Sequence, residues 1–242
     1  RSAFQAIRGA LEDDTVTVAD IGCHSLGIFP PFSMGEILLC MGHSTGTAAG
    51  LSINNDRKVI AFLGDATLFH AGWPGITNAL INEHDITLIL MENGTTAMTG
   101  HQPRQGTGEI GEKIPIRGIF EALGVKFIKE VDTYNQAKLT ETVKEAMAFK
   151  GFALVIAKHP CMLKFVRTQR SKVPDFKINH VEINQDTCDR SKVCIETFGC
   201  PSFRFEDDGS VSVHPDLCIG DGSCLKTCPV SAIERTGKGG RP

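Results

Sequence analysis

The sequence predicts an α/β protein: a doubly wound parallel sheet followed by a small C-terminal α+β module. Two observations carry this. Five apolar, β-rich runs at 15–22, 58–65, 86–93, 126–131 and 152–159 alternate with segments of helical character at 44–51, 73–83, 115–123 and 134–149. Strands alternating with helices imply a parallel sheet covered on both faces. Beyond the alternation, a thirty-residue repeat takes over. Val181-x-Ile183-Asn184-Gln185-Asp186-Thr187-Cys188 returns as Val211-x-Val213-His214-Pro215-Asp216-Leu217-Cys218.

The segment 134–149 is the clearest helix. Ala137, Leu139, Val143, Ala146 and Met147 recur close to a 3.6-residue period, with Glu141 and Glu145 set among lysines. Ligands of parallel sheets bind at the carboxyl ends of strands, and Gly64-Asp65 and Asn93 fall at two such ends. Residues 158–177 form a basic seam, Lys158, Lys164, Arg167, Arg170, Lys172 and Lys177 against the single acid Asp175. We place the domain boundary there, with a first domain at 1–176 and a second at 177–242. Residues 178–242 carry seven Lys/Arg and ten Asp/Glu, so the net −3 of the chain lies in the cysteine module. The seam then reads as a solvated linker, with docking against the acidic module as the alternative.

At 242 residues the chain fits one large domain and a small one, and 41% apolar with 22% charged residues is a globular composition. A net charge of −3 gives no nucleic-acid footprint. No apolar run is long enough to span a bilayer, and the N-terminus has no signal-peptide core. The chain opens on Arg1 rather than Met, which suggests a fragment, a processed product or one piece of a longer polypeptide. Six of the nine cysteines fall in the last 55 residues, while Cys23, Cys40 and Cys161 are scattered through the α/β part. Without a secretion signal, this points to metal-bound thiolates in a reduced, cytoplasmic compartment rather than to disulfides.

A divalent ion holding a diphosphate needs hard oxygen ligands in near-octahedral geometry. Asp65 offers a carboxylate, Asn93 an amide oxygen, and the backbone carbonyl of Thr95 a third donor. Gly64 lets the backbone approach the phosphates, and the helix after the Asp65 turn would aim N–H groups at them. Taken alone, Asp65 also reads as a helix cap. Gly-Asp-x followed about 28 residues later by Asn resembles the thiamine diphosphate (TPP) motif. The neighbourhood sharpens this: Asn93-Gly94-Thr95-Thr96-Ala97-Met98-Thr99-Gly100-His101-Gln102-Pro103, Asp20-Ile21-Gly22-Cys23-His24-Ser25-Leu26-Gly27 and Cys40-Met41-Gly42. These runs resemble the TPP domain of the 2-oxoacid:ferredoxin oxidoreductases, most closely the indolepyruvate type, whose α subunits carry a TPP domain ahead of a ferredoxin-like module. Gly94 departs from that pattern, where a larger residue is expected.

The resemblance implies Mg²⁺ on Asp65, Asn93 and Thr95. It places Gly22, Cys23, His24, Cys40, Gly42, His43, Gly64, Ala66, Thr96 and Met98 around the cofactor. His24 and His101 are the candidate catalytic groups, each able to donate to a 2-oxoacid carboxylate or handle a proton. Core packing is the competing reading for Cys23, Cys40 and Met41. In this family a glutamate on a separate pyrimidine-binding domain activates TPP. The only acid near Cys40-Met41-Gly42 is Glu36, and it is not the expected activator. We therefore expect half an active site, completed by another domain or subunit in a hetero- and homo-oligomer.

Two-cluster ferredoxins use C-x₂-C-x₂-C-x₃-C-P twice, and each Cys-Pro cysteine ligates the other unit's cluster. Here each unit keeps three cysteines and replaces the second, by Ser191 in the first and by Asp221 in the second. Cluster one would use Cys188, Cys194 and Cys228; cluster two would use Cys218, Cys224 and Cys200. Asp221 can ligate iron through oxygen or leave a three-iron corner. Ser191 is a poorer ligand, which makes the first site the expected [3Fe–4S] or degenerate one. Zinc or free thiols are the alternative, but zinc prefers tighter Cys-x₂-Cys pairs.

By resemblance, the activity is oxidative decarboxylation of a 2-oxoacid, such as indolepyruvate, to an acyl-CoA and CO₂. The electrons would pass through the clusters to a ferredoxin-like acceptor, with coenzyme A taking the acyl group. A non-oxidative TPP decarboxylase would have no use for the cluster module. A non-catalytic electron-transfer subunit would have none for the Asp65–Asn93 site. Phe32, Phe69 and Trp73 read either as an aromatic substrate pocket or as core.

Overall fold

A computed structural model describes residues 1–236. Strands β1 (Val16–Val18), β2 (Val59–Gly64), β3 (Thr87–Glu92), β4 (Phe127–Asp132) and β5 (Ala153–Lys158) form one sheet in the order β1-β2-β3-β5-β4. All four pairings are parallel. The helices are α1 (Ser2–Arg8), α2 (Ser44–Leu51), α3 (Asp65–Thr67), α4 (Trp73–Ile81), α5 (Ile116–Ala122), α6 (Gln136–Ala148) and α7 (Met162–Lys172). A π-helical turn, Leu68–Gly72, joins α3 to α4. The helical path therefore begins at Asp65 itself, eight residues ahead of the start the periodicity suggests.

Side chains alternate between the two faces of a strand, and here both faces are covered. Val59, Ala61, Leu63, Leu88 and Leu90 share a buried cluster with Ala48 of α2, Ile76 of α4 and Phe120 of α5. The alternate residues Ile60, Phe62 and Ile89 are equally buried. On that second face Thr87 Oγ1 donates to the Ala146 carbonyl of α6 at 3.3 Å, whose Leu139, Val143 and Ala146 are fully buried. This is the doubly wound sheet that the alternation predicts. Trp73, Phe120 and Phe152 form an aromatic ladder, with ring centroids 5.6 and 6.5 Å apart. Trp73 thus packs in the core rather than in an open aromatic site.

The chain divides into two compact units, Ala6–Cys161 and Arg1–Gln5 together with the chain from Met162 onward. The basic seam is not an irregular linker. Residues 162–172 of it fold as α7 and group with the second unit, with Val166 buried. In that unit β6 (Val181–Ile183) pairs antiparallel with β9 (Ile233–Arg235), and β7 (Phe203–Phe205) pairs antiparallel with β8 (Val211–Val213). The strands that open the two repeats are β6 and β8. Each pairs with the strand that follows the other repeat's Cys-Pro, β9 after Cys228-Pro229 and β7 after Cys200-Pro201. The repeats are interlocked. Val181, Phe198, Phe203, Val211 and Ile233 form their core, and all six cysteines pack against or within it.

Candidate functional site

The register sets the ends of β2, β3 and β5 side by side, with Gly64 opposite Met91 and Glu92 opposite Lys158. Asp65 and Asn93 leave the sheet as neighbours. Asp65 is 1% exposed. Its Oδ2 accepts from the backbone N–H groups of Asn93 at 3.1 Å and Gly94 at 2.8 Å, and its Oδ1 from Ala66 N at 2.8 Å. Asn93 Oδ1 accepts from Thr95 N at 2.9 Å. Thr95 is buried, and its hydroxyl donates to the Gln102 carbonyl at 2.8 Å. Thr96 and Gln102 close the loop with two backbone bonds of 3.0 and 3.2 Å. The Thr95–Gln102 segment is therefore a closed loop held onto a carboxylate. Met98, at its tip, is exposed.

Sequence reasoning missed Arg104. Its Nε donates to Asp65 Oδ2 at 2.7 Å, and its Nη2 lies 3.5 Å from Glu92 Oε1. The guanidinium sits 5.3 Å from the centroid of Phe69. Glu92 is held on its other side by Lys158 at 3.5 Å. Asp65 thus sits in a charged network rather than alone. No sequence spacing marks Arg104, because a loop rather than a regular element brings it in.

A second carboxylate, Asp20, ties β1 to α2. Its Oδ1 accepts from Ile21 N at 2.7 Å and Gly42 N at 2.8 Å, and its Oδ2 from Ser44 N at 2.9 Å. Asp20 is fully buried. Gly42 adopts φ +93°, and a Cβ there would lie 2.6 Å from Ala71 Cβ, so only glycine fits.

The three site histidines differ. His43 is satisfied: Leu39 N donates to its Nε2 at 3.0 Å, and its Nδ1 bonds Thr47 Oγ1 at 2.9 Å. That ring holds its own loop. His24 is buried, and its Nε2 has no partner among the described residues. Its ring lies against Gly22 and Gly64, where an added Cβ would come within 2.7 and 3.3 Å of it. Burial pushes the His24 pKa down to about 4, against the opposing pull of Asp20. At neutral pH it is therefore an uncharged imidazole. His101 adopts φ +64°, and neither of its ring nitrogens has a partner among the described residues. Cys23 and Cys40 are exposed rather than core. Burial followed by the neighbouring Cys161 raises the Cys23 thiol. Glu36 Oε2 accepts from Thr17 N at 3.2 Å, which engages it with strand β1.

The donor set suits a diphosphate-bound divalent ion. Asp65 Oδ1, with one protein donor, retains a lone pair, and Asn93 brings its amide oxygen to the adjacent strand end. Ala66 and Gly64 start the helical turn at the same point. His24 Nε2 is a buried polar atom awaiting a partner, which a buried site does not normally leave.

In the cysteine module the pKa shifts report proximity. Cys194 is pushed up to about 11, by burial first and then by Cys188 and Cys228. Cys224 is pushed up to about 12, by burial first and then by Asp221, Cys200 and Cys218. These neighbours are the two sets the repeat implies. Among the described residues no three His, Cys, Asp or Glu side chains converge closely enough for a single metal ion. Asp221 Oδ1 accepts from Ser223 N and Oγ at 3.2 and 3.1 Å. Ser191 is exposed, and its N–H donates to Asp189 Oδ1 at 3.1 Å. The two loops share one backbone shape: Arg190 and Lys192 are left-handed at φ +57°, as are Gly220 and Gly222 at +68° and +73°.

The family described as thiamine pyrophosphate enzyme, C-terminal TPP binding domain, matches residues 20–157. The chain belongs to the thiamine pyrophosphate enzymes. The matched region spans strands β2, β3 and β4 and all but the last residue of β5. A 4Fe-4S binding domain family matches residues 211–234, the second repeat. Indolepyruvate oxidoreductase subunit IorA of Archaeoglobus fulgidus is 38% identical over 96% of this chain and 38% of its own length. The IorA subunit of Methanothermobacter marburgensis is 36% identical over 98% of this chain and 39% of its own. The chain thus spans under two fifths of these relatives. A 2-oxoglutarate:ferredoxin oxidoreductase structure from Magnetococcus marinus shares the fold. It has a TM-score of 0.58 and 19% identity, over 74% of this chain and 70% of that chain.

Proposed function

We propose that this TPP-enzyme chain carries the diphosphate and metal half of a 2-oxoacid:ferredoxin oxidoreductase active site, together with its electron outlet. The observation behind this reading is the pairing of Asp65 with Asn93 at adjacent strand ends, in the same chain as an interlocked cysteine repeat. Bound TPP would supply the carbon nucleophile and electron sink for decarboxylation. The chain's own residues have separate tasks. Asp65, the Asn93 amide oxygen and the Thr95 carbonyl hold Mg²⁺. Gly42 and the turn at Gly64-Asp65-Ala66 let the backbone close on the diphosphate. Neutral His24 offers a ring nitrogen to the substrate's carboxylate, an anion whose orientation a hydrogen bond fixes without adding a cation, and His101 offers its unpartnered ring nitrogens beside it. Cys188, Cys194 and Cys228 take one iron–sulfur cluster, and Cys218, Cys224 and Cys200 the other, with Asp221 beside the second.

The names of the IorA relatives favour an aryl pyruvate such as indolepyruvate. Coenzyme A is the acyl acceptor in this reading, and a ferredoxin-like protein takes the electrons. In the assembled protein, Asp65→Ala abolishes TPP-dependent oxidation of indolepyruvate while leaving the cluster absorbance intact. Unchanged turnover would overturn the assignment.

A further inference from the structure

Arg104 is 3% exposed, with each face of its guanidinium engaged. Beyond the bond to Asp65 Oδ2, its Nη1 donates to the Gln105 carbonyl at 2.6 Å, and Phe69 lies under the plane. Glu92, itself paired with Lys158, holds the far edge. A buried arginine fixed at this many points is a rigid counter-ion. It directs one particular N–H at one particular carboxylate oxygen.

The two oxygens of Asp65 are consequently unequal. Oδ2 receives three donors, Asn93 N, Gly94 N and Arg104 Nε, at 3.1, 2.8 and 2.7 Å. Among the described residues Oδ1 receives one, Ala66 N at 2.8 Å. Three donors occupy the approaches to Oδ2 and leave no room there for a cation, whereas Oδ1, with one donor, stays open. Ligand number separates the common hard cations. Mg²⁺ holds a near-ideal octahedron at about 2.0–2.1 Å, while Ca²⁺ takes about 6–8 oxygens at longer range and often chelates both oxygens of a carboxylate.

We propose that Arg104 is a positioning residue that sets the metal selectivity of this site. By holding Oδ2, it makes Asp65 a one-oxygen ligand and so favours a small octahedral ion over Ca²⁺. The inference rests on the reading that Asp65 ligates the metal of the TPP site. Bidentate chelation would have to break a short charge-assisted bond inside a dry site, where nothing else replaces it.

The test is calorimetric titration of Mg²⁺ and of Ca²⁺ into the assembled protein with saturating TPP, for wild type and Arg104→Met. Replacing a group that orients a metal ligand typically weakens the metal about 10–100-fold, and Mg²⁺ binding falls by that factor in the variant. Ca²⁺ binding falls less, because the loss of one of the three donors opens an approach to Oδ2 that the Asn93 and Gly94 N–H groups do not fill, so the Mg²⁺-to-Ca²⁺ preference drops by about tenfold. A variant that binds both ions with an unchanged ratio overturns the inference and leaves the site reading standing. Failure of wild type to bind either ion in the presence of TPP overturns both. Should Arg104→Met not fold, a crystal structure of wild type with Mn²⁺ and TPP decides. Asp65 ligating through Oδ1 alone, with Arg104 still on Oδ2, supports the inference. A bidentate Asp65 or a displaced Arg104 refutes it.

Discussion

Among single residues, His24 is the one whose environment makes the most measurable demand. Burial lowers its pKa from 6.5 to about 4, so the folded protein resists a proton that the unfolded chain accepts. The associated stability is full above about pH 6.5 and is lost as the pH falls toward 4. At 1.36 kcal/mol per pKa unit, the loss is about 3 kcal/mol. Urea denaturation at pH 7 and at pH 4.5 measures it: His24→Asn loses less stability on acidification than wild type, by roughly that amount. An equal loss in both would place the acid sensitivity elsewhere. The sequence marked His24 and His101 as candidate catalytic imidazoles, and the family resemblance placed His43 beside the cofactor. What separates them is hydrogen bonding: His43 has both nitrogens occupied by its own loop, whereas the other two do not. His43 finds its partners four residues to either side, whereas the surroundings of His24 include Gly64, forty residues on, and only the fold shows that difference.

Among elements, the two cysteine loops are the informative pair. They place residues 191 and 221 between left-handed neighbours, which are glycines in the second loop and Arg190 and Lys192 in the first. A side chain in that region costs about 1–2 kcal/mol. Arg190→Gly should therefore raise the thermal midpoint for loss of cluster absorbance, worth about 1 kcal/mol after the entropy of glycine is deducted. Lys192→Gly should gain less, because Lys192 Nζ lies 4.0 Å from the Phe205 ring centroid and that contact is lost. If Arg190→Gly lowers the midpoint, the left-handed geometry is not a strain on the loop. The second position itself gives a spectroscopic prediction. An oxygen ligand binds iron more labilely than thiolate, so air exposure should produce a three-iron paramagnetic resonance signal. Asp221→Cys should suppress that signal at the second site and shift its potential. An all-thiolate pair of four-iron clusters in wild type would refute the ligand pairing. Strand order supplies the reason for that pairing: β9 returns to β6 and β7 pairs with β8, so each Cys-Pro is delivered to the opposite repeat.

For the molecule as a whole, the main inference concerns completeness of the site. The acid nearest the Cys40-Met41-Gly42 loop, Glu36, accepts a bond from Thr17 N on β1 and is engaged there. The activating carboxylate should therefore come from another domain or subunit. The 242-residue chain alone should bind TPP and metal weakly and decarboxylate no aryl pyruvate, with activity returning when the rest of the assembly is added. Steady turnover by the chain alone would disprove this. No helix among the described residues is long and apolar enough to cross a membrane.

The sequence by itself determined the five parallel strands, the helices between them, the strand-end positions of Asp65 and Asn93, and the cysteine repeat. These are local or periodic properties: an apolar run, a 3.6-residue period and a fixed spacing are each visible within a few tens of residues. Tertiary structure alone decided the rest. Strand order 1-2-3-5-4 depends on which crossover packs where. The helix starting at Asp65 depends on Asn93 N and Gly94 N closing on its carboxylate from 28 and 29 residues away. Residues 162–172 of the basic seam form α7 with Val166 buried, although their composition reads as a linker. Arg104 reaches Asp65 across 39 residues of chain, and a contact at that separation is a property of the fold, with no pattern in the sequence to announce it.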